Sequence, residues 1–327
     1  VNTVRMTRER NAVLVKNTPS DHGSYYSCLA YYNKQIMKIK FLGTGAAEGI
    51  PSTFCNCKLC EYARRFKGKD IRGRFQILIN DDLLADYPPD SFFNSIRHNI
   101  DFSKVTDILI THSHSDHFYP EDLFMRGLNS SYSMKESILT VHGSECVTNR
   151  LRELNVGFPK GSLSEVPVGR FKGYDVIGRC VEYNTLTPFS NCDVSGYRVT
   201  VVPSEHVNYE PSFVYGITKN NKTVLILSDT AMLTDKEIAY FADSGLKADA
   251  IIYDCTYGED ERNEGHMNIE DNCLLRDKLI SLKVADNNTK HIISHLAHSL
   301  MKTHNELCEM GNKYSFIVAY DGMEIEI

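Results

Sequence analysis

Between Thr111 and His117 the chain reads Thr-His-Ser-His-Ser-Asp-His. Three imidazoles, His112, His114 and His117, and the carboxylate of Asp116 are packed into six positions. Imidazole nitrogen and carboxylate oxygen are good donors to borderline divalent cations. In an extended segment His112, His114 and Asp116 would share one side, whereas at a strand-to-loop turn the chain can wrap around a pair of ions. A histidine-rich surface loop is the plain alternative. Two things weigh against it: runs of ligand-type residues read as metal sites, and the short apolar run Thr106–Ile110 before this one predicts a buried strand whose end is where α/β folds place their chemistry.

Further candidates recur in the same position. A His or Asp stands at the C-terminal end of successive predicted strands: His112, His206, Asp229, Asp254 and His295. Strand ends on one rim of a sheet converge on a shared crevice. Singly, His206 or His295 would read as a hydrogen-bonded core histidine and Asp229 as a helix cap; jointly with residues 111–117 they read as a site. A second cluster, Cys55-x-Cys57-x-x-Cys60, has spacing suited to tetrahedral zinc with a fourth ligand from elsewhere, or to three buried unpaired thiols. Cys146, Cys180 and Cys192 read as packing residues. His266 follows the polar loop 258–265 and directly precedes a predicted helix over 268–282, with a surface helix cap as the plain alternative to a role in the site.

These residues require strands to carry them. The pattern predicts strands at Lys38–Leu42, Phe75–Asn80, Leu83–Asp86, Ser137–Val141, Tyr197–Val202, Ser212–Ile217, Thr223–Leu227, Ala248–Tyr253, His291–Ser294, Ser315–Tyr320 and Met323–Ile327. Helices are predicted at Glu121–Gly127, Ser144–Leu154, 268–282 and about 299–310. Gly43-Thr44-Gly45 is a strand-to-loop corner lining a pocket, because glycine allows close backbone approach. The basic stretch 64–74 (Arg64, Arg65, Lys67, Lys69, Arg72, Arg74) reads as a solvated helix end and loop, or as a surface for an anionic substrate. Residues 157–200 are turn-rich. The compact domain is expected to begin near Met37, with 1–36 as an extension.

The chain has 327 residues, 42% of them apolar, enough for a large core, and a net charge of −6 that argues against bulk attraction to nucleic acid or anionic membrane. No stretch has the length of a transmembrane helix and no secretory signal is visible. Ten cysteines, three of them within six positions, fit a reduced cytoplasmic protein with a thiolate metal site.

The order His-x-His-x-Asp-His, then His206, then Asp229 in Leu-Ser-Asp-Thr, then His295, resembles the ligand set of dinuclear metallo-β-lactamase-fold hydrolases. Phe41-Leu42-Gly43-Thr44-Gly45, the cysteine cluster, Ser-His-x-x-His at 294–298 and Asp321-Gly322-Met323-Glu324-Ile325 narrow this to a resemblance to PhnP-type phosphoribosyl cyclic phosphodiesterases over nearly all of 37–327. The resemblance implies an α/β (α+β) chain folded as an αββα sandwich. It implies that His112, His114 and His206 hold one divalent ion, that Asp116, His117 and His295 hold the other, and that Asp229 bridges them. Manganese or zinc, or nickel or iron, suits such donors. Cys55, Cys57, Cys60 and His298 would build a structural zinc. His266 would act near the scissile phosphate, with Asp116 and Asp229 as the other catalytic groups, and Asp254 would orient a ligand histidine from behind. The sequence Asp86-Tyr87-Pro88-Pro89-Asp90 departs from the Ile-Asp-x-Gly corner of the fold. The implied activity is hydrolysis of a small cyclic phosphodiester. The expected partner is a small phosphorylated substrate, with neither nucleic acid nor membrane, and a homodimer is compatible with this reading. Rival readings are a tRNA 3′-processing nuclease, opposed by the negative charge and the cysteine cluster; a lactamase or thioester hydrolase; and a non-catalytic accessory protein of cofactor biosynthesis, opposed by the complete ligand set.

Overall fold

The computed structural model describes residues 36–126, 133–136, 138–156, 180–262 and 264–327. All of them except Ile36 belong to a unit running from Met37 to Ile327. Of the expected extension only Ile36 is among them, and residues 157–179 of the turn-rich middle lie outside them.

The first sheet is laid down in chain order. It comprises β1 (Lys38–Gly43), β2 (Gln76–Ile79), β3 (Leu83–Ala85), β4 (Asp107–Leu109), β5 (Leu139–Gly143) and β6 (Val181–Thr185). β1 to β3 are antiparallel and β3 to β6 parallel. The second sheet starts as an antiparallel meander of β7 (Ser190–Val194), β8 (Tyr197–Pro203), β9 (Phe213–Lys219) and β10 (Lys222–Leu227). It continues in parallel with β11 (Ala250–Asp254), β12 (Lys290–Ser294) and β13 (Ile317–Val318). The last strand, β14 (Glu324–Glu326), returns to the first sheet beside β1, so that among the described residues both sheets have seven strands.

Strand alternation explains how the sheets stack. Ile39, Phe41, Ile77 and Ile79 of the first sheet share one buried cluster with Val199, Val201, Tyr215, Ile217, Val224, Ile226 and Ile252 of the second. Their sequence neighbours point the other way and meet helices. Leu78, Ile108 and Val141 pack with Val147 and Leu151 of the helix α3 (Glu145–Val156). Leu225, Leu227, Ile251 and Tyr253 pack with Ile238 and Phe241 of α4 (Asp235–Asp243), Leu275 and Leu279 of α5 (Ile269–Ser281), and Leu307 and Met310 of α6 (His304–Lys313). Strands buried on both faces read as continuous apolar runs, which is why these were visible in the sequence. The result is the expected helix–sheet–sheet–helix sandwich. The two remaining helices, α1 (Lys58–Phe66) and α2 (Ser91–Arg97), lie in the loops of the first sheet.

Several elements differ from expectation. The helix expected over 121–127 is a 3-10 helix, Pro120–Arg126. The helix expected from 299 begins at His304, because Thr303 and Glu306 form a capping box there and Met301, at φ 53°, ends a separate 3-10 turn over His298–Leu300. The closing strands are shorter than drawn. Arg72 is not a solvated residue of the basic stretch: it is 2% exposed and donates to Thr44 Oγ1 and the Ala319 carbonyl, each at 2.7 Å. Thr44 Oγ1 in turn donates to Asp321 (2.7 Å), which also accepts from Gly73 N (2.6 Å) and Arg97 (2.9 Å). This knot ties the corner after β1 to the loop before β2 and to the end of the chain. Gly43 is required in it, since a Cβ there would stand 1.8 Å from the Arg74 carbonyl oxygen.

Candidate metal centre

The donors are delivered by strand ends of both sheets. His112, His114, Asp116 and His117 follow β4; His206 follows β8, Asp229 follows β10, and His295 follows β12. The structure brings them into two groups, His112–His114–His206 and Asp116–His117–Asp229–His295, within each of which one donor atom per residue lies within 4.8 Å of every other. Asp229 stands between the groups. Its Oδ2 is 3.1 Å from His117 Nε2 and 4.0 Å from His206 Nε2, and its Oδ1 is 3.1 Å from His295 Nε2. His206 Nε2 is 3.4 Å from His114 Nδ1.

Burial makes this arrangement costly as it stands. His112, His117 and His295 are at most 2% exposed. Among the described residues, the Nε2 atoms of all three are buried without a hydrogen-bond partner. A buried polar atom without a partner loses its hydration for nothing. Three such nitrogens converging on carboxylates are what a cation would satisfy, and the nitrogen–carboxylate donor set fits borderline divalent ions.

The opposite ring nitrogens are all engaged, which fixes each tautomer with its lone pair inward. His117 Nδ1 donates to Asp86 (2.7 Å), and His206 Nδ1 to the Gly265 carbonyl (3.0 Å). His112 Nδ1 is 3.0 Å from Thr111 Oγ1, and that hydroxyl donates to Asp86 (3.0 Å). His295 is held by a matching relay: its Nδ1 is 2.9 Å from Thr256 Oγ1, which donates to Asp254 (2.7 Å). His114 differs, turning Nδ1 inward and placing Nε2 on the Tyr209 hydroxyl. Glu210, itself buried, accepts from Ser113 N (3.2 Å) and Ser113 Oγ, and so ties the 204–212 loop to the motif.

Asp254 has a second role. Its other oxygen is 2.7 Å from His266 Nδ1, and His266 stacks on His295 at 5.3 Å and 18°. Burial alone would lower the His266 pKa, but the Asp254 carboxylate outweighs it and holds it up at about 9.

The cysteine cluster also assembles. Cys55, Cys57, Cys60 and His298 form one donor group. His298 Nδ1 is 3.7 Å from both Cys57 Sγ and Cys60 Sγ, and its Nε2 faces Glu48 at 3.5 Å. Cys57 is the N-cap of α1, its sulfur accepting from Cys60 N. Burial raises a thiol, yet His298 and that N–H bring Cys57 down to about 6, so it offers a thiolate.

Sequence reasoning missed Asp86, Thr111, Thr256, Tyr209, Glu210 and Gly265. Asp86 had a readable signal, since it ends the strand predicted over Leu83–Asp86 and obeys the strand-end rule used for the others. The departure at 86–90 begins only after this aspartate, which is fully buried beneath His117.

The domain family described as Beta-lactamase superfamily domain matches residues 88–281. Since this is more than half of the chain, the chain belongs to the β-lactamase superfamily. It is a metal-dependent hydrolase of the metallo-β-lactamase fold, PhnP-like in architecture. A new diphosphatase from the PhnP family superposes with a TM-score of 0.65 at 18% identity, covering 89% of this chain and 97% of that one. Zinc-bound PqqB from Methylobacterium extorquens gives 0.63 at 16%, with 89% and 100% covered. The short form of human tRNase Z gives 0.57 at 17%, with 88% and 98% covered. No curated protein matches the chain. No helix among the described residues is long and apolar enough to cross a membrane.

Proposed function

We propose that this chain is a metal-dependent phosphodiesterase acting on a small cyclic phosphodiester of the phosphoribosyl 1,2-cyclic phosphate kind. The observation that carries this reading is the pair of donor groups with Asp229 standing between them, and His266 beside them on Asp254. His112, His114 and His206 would hold one divalent ion and Asp116, His117 and His295 the other, with Asp229 common to both. Manganese or zinc, or nickel or iron, suits this set. Bound there, the ions supply an activated water and neutralise charge on phosphoryl oxygens.

The chain's own residues do the rest. Asp86, Thr111, Thr256 and Gly265 hold the imidazoles in register. His266 keeps its proton through the partnership with Asp254 and gives it from Nε2 to the departing alkoxide, or binds the phosphate with it. Cys55, Cys57, Cys60 and His298 would hold a structural zinc, which ties α1 to the segment following His295.

The test is a turnover panel on protein of known metal content: a five-membered ribose cyclic phosphate, an aryl phosphodiester, a nucleoside cyclic phosphate, a tRNA precursor and a β-lactam. Hydrolysis of the small diesters is the expected result. Cleavage of the tRNA precursor or the β-lactam alone would overturn the reading, and no turnover with both ions bound would favour a non-catalytic role.

A further inference from the structure

His295 is one residue between two sheets. Before it, Ser294 ends β12, pairs with Asp254 of β11 and accepts from Cys255 N (3.0 Å). After it, the chain leaves the second sheet. Leu296 N donates to the Thr44 carbonyl (3.0 Å) and the Leu296 carbonyl accepts from Ala46 N (3.1 Å), so both its backbone groups belong to the corner after β1. The change of direction falls on His295, which has φ 55°. A non-glycine residue in this left-handed region is uncommon and persists where its surroundings hold it there. Here the corner does the holding, and the Thr44 side chain anchors the corner. Thr44 is fully buried, its hydroxyl accepting from Arg72 and donating to Asp321, each at 2.7 Å. Gly45 N adds a bond to the Gly73 carbonyl (2.8 Å).

Rotation about the His295 backbone would swing its imidazole, and with it the Nε2 that lies 3.1 Å from Asp229 Oδ1. Donors already fixed in register bind an ion without first having to be ordered. We propose that Thr44 is a positioning residue of the metal centre. By anchoring the corner that grips Leu296, it holds His295 in the left-handed conformation that aims Nε2 at Asp229. Its effect falls on the group Asp116–His117–Asp229–His295. The group His112–His114–His206 leans on Thr111, Tyr209 and Gly265 instead. This inference rests on the metal centre of the proposed function and not on its substrate.

The experiment titrates zinc-loaded wild type, Thr44→Val, which removes the hydroxyl, and Thr44→Ser, which keeps it, with a chromophoric chelator. In Thr44→Val one zinc of the paired site is expected to bind about tenfold more weakly and the other within about twofold of the wild type. Thr44→Ser should keep both within about twofold. Leu151→Ala, a cavity between α3 and the first sheet, lowers Tm without touching the corner and should leave both affinities alone. Thr44→Val added to His295→Ala should have no further effect on the paired site, because the residue through which it acts is gone. Equal weakening of both zinc ions, none of either, a shift as large in Leu151→Ala, or a full further loss in the double variant would each overturn the proposal. Amide hydrogen exchange of the wild type decides the matter should Thr44→Val not fold. When the paired site is stripped, the Leu296 amide should lose no more protection than the amides of β12. Release of Leu296 alone would mean that the ion, not the corner, fixes His295. No readout uses a substrate, so a failed turnover panel and a failed positioning role remain distinguishable.

Discussion

Asp229 faces His117, His206 and His295 at once, so its removal reaches both donor groups. Asp229→Ala is expected to abolish turnover and to empty the paired site while the cysteine group keeps its metal. Elemental analysis of the purified variant measures this, and loss of metal from both places would refute the two-site assignment. Asp86 touches no ion position but holds His117 directly and His112 through Thr111. Asp86→Ala should weaken metal affinity by about 10- to 100-fold, as losses behind a ligand histidine do, read by competition with a chelator. At this scale the sequence was informative for any donor at the end of a strongly apolar strand. It was silent on Thr111, Thr256 and Gly265, because a hydroxyl or a carbonyl behind a ligand has no spacing signature. It was silent on Tyr209 and Glu210 for another reason: they lie in a loop whose course depends on the Ser204–Ser212 closure.

Elements place these residues through close backbone contact, and two of them can be loosened separately. At the end of β1, Gly43→Ala would press a methyl against the Arg74 carbonyl, since the Cβ position lies 1.8 Å from that oxygen. The expected cost is at least about 2 kcal/mol, measured by denaturant unfolding. Gly68→Ala is the control: nothing lies within 4 Å of its Cβ position, so its penalty is only that of a positive φ. His298→Ala takes one donor from the cysteine group beside α1 and should release about one equivalent of zinc and lower Tm, because binding of such a metal is coupled to folding. An unchanged zinc content would show that His298 is no ligand. Element existence was legible from apolar runs; element limits were less so. The start of α6 is set by the Thr303–Glu306 capping box, and the pattern of apolar residues begins before it.

On the scale of the whole molecule, the buried knot at Asp321 joins residues far apart in the chain and gives its stability a pH signature. Burial raises the Asp321 carboxyl to about 6, with Gly73 N and Arg97 pulling the other way. A carboxyl whose pKa is higher in the folded than in the unfolded chain favours the folded state when protonated. That contribution is complete below the unfolded value near 4 and is lost as pH rises through about 6. The loss is on the order of 3 kcal/mol. The Tm of the wild type minus that of Asp321→Asn should therefore fall between about pH 4 and about pH 7 and level off above. A difference that rises over that range would mean that Arg97 and Gly73 prevail over burial. The sandwich itself was readable because both sheets are buried on both faces; the knot was not, because Arg72 in a run of basic residues looks solvated until Thr44 and Ala319 are seen to enclose it.

His112 and His117 follow a strand of the first sheet, and His206, Asp229 and His295 follow strands of the second. A cation held among them would work as a long-range cross-link, comparable in topology to a disulfide closing a very large loop. The two layers would then be riveted at their rim. Stripping the ion should reveal itself as faster amide hydrogen exchange at the sheet-to-sheet interface, well away from the donors. A chain cut between β6 and β7 would carry part of each donor group on each piece, so metal uptake would report whether the two pieces had found each other.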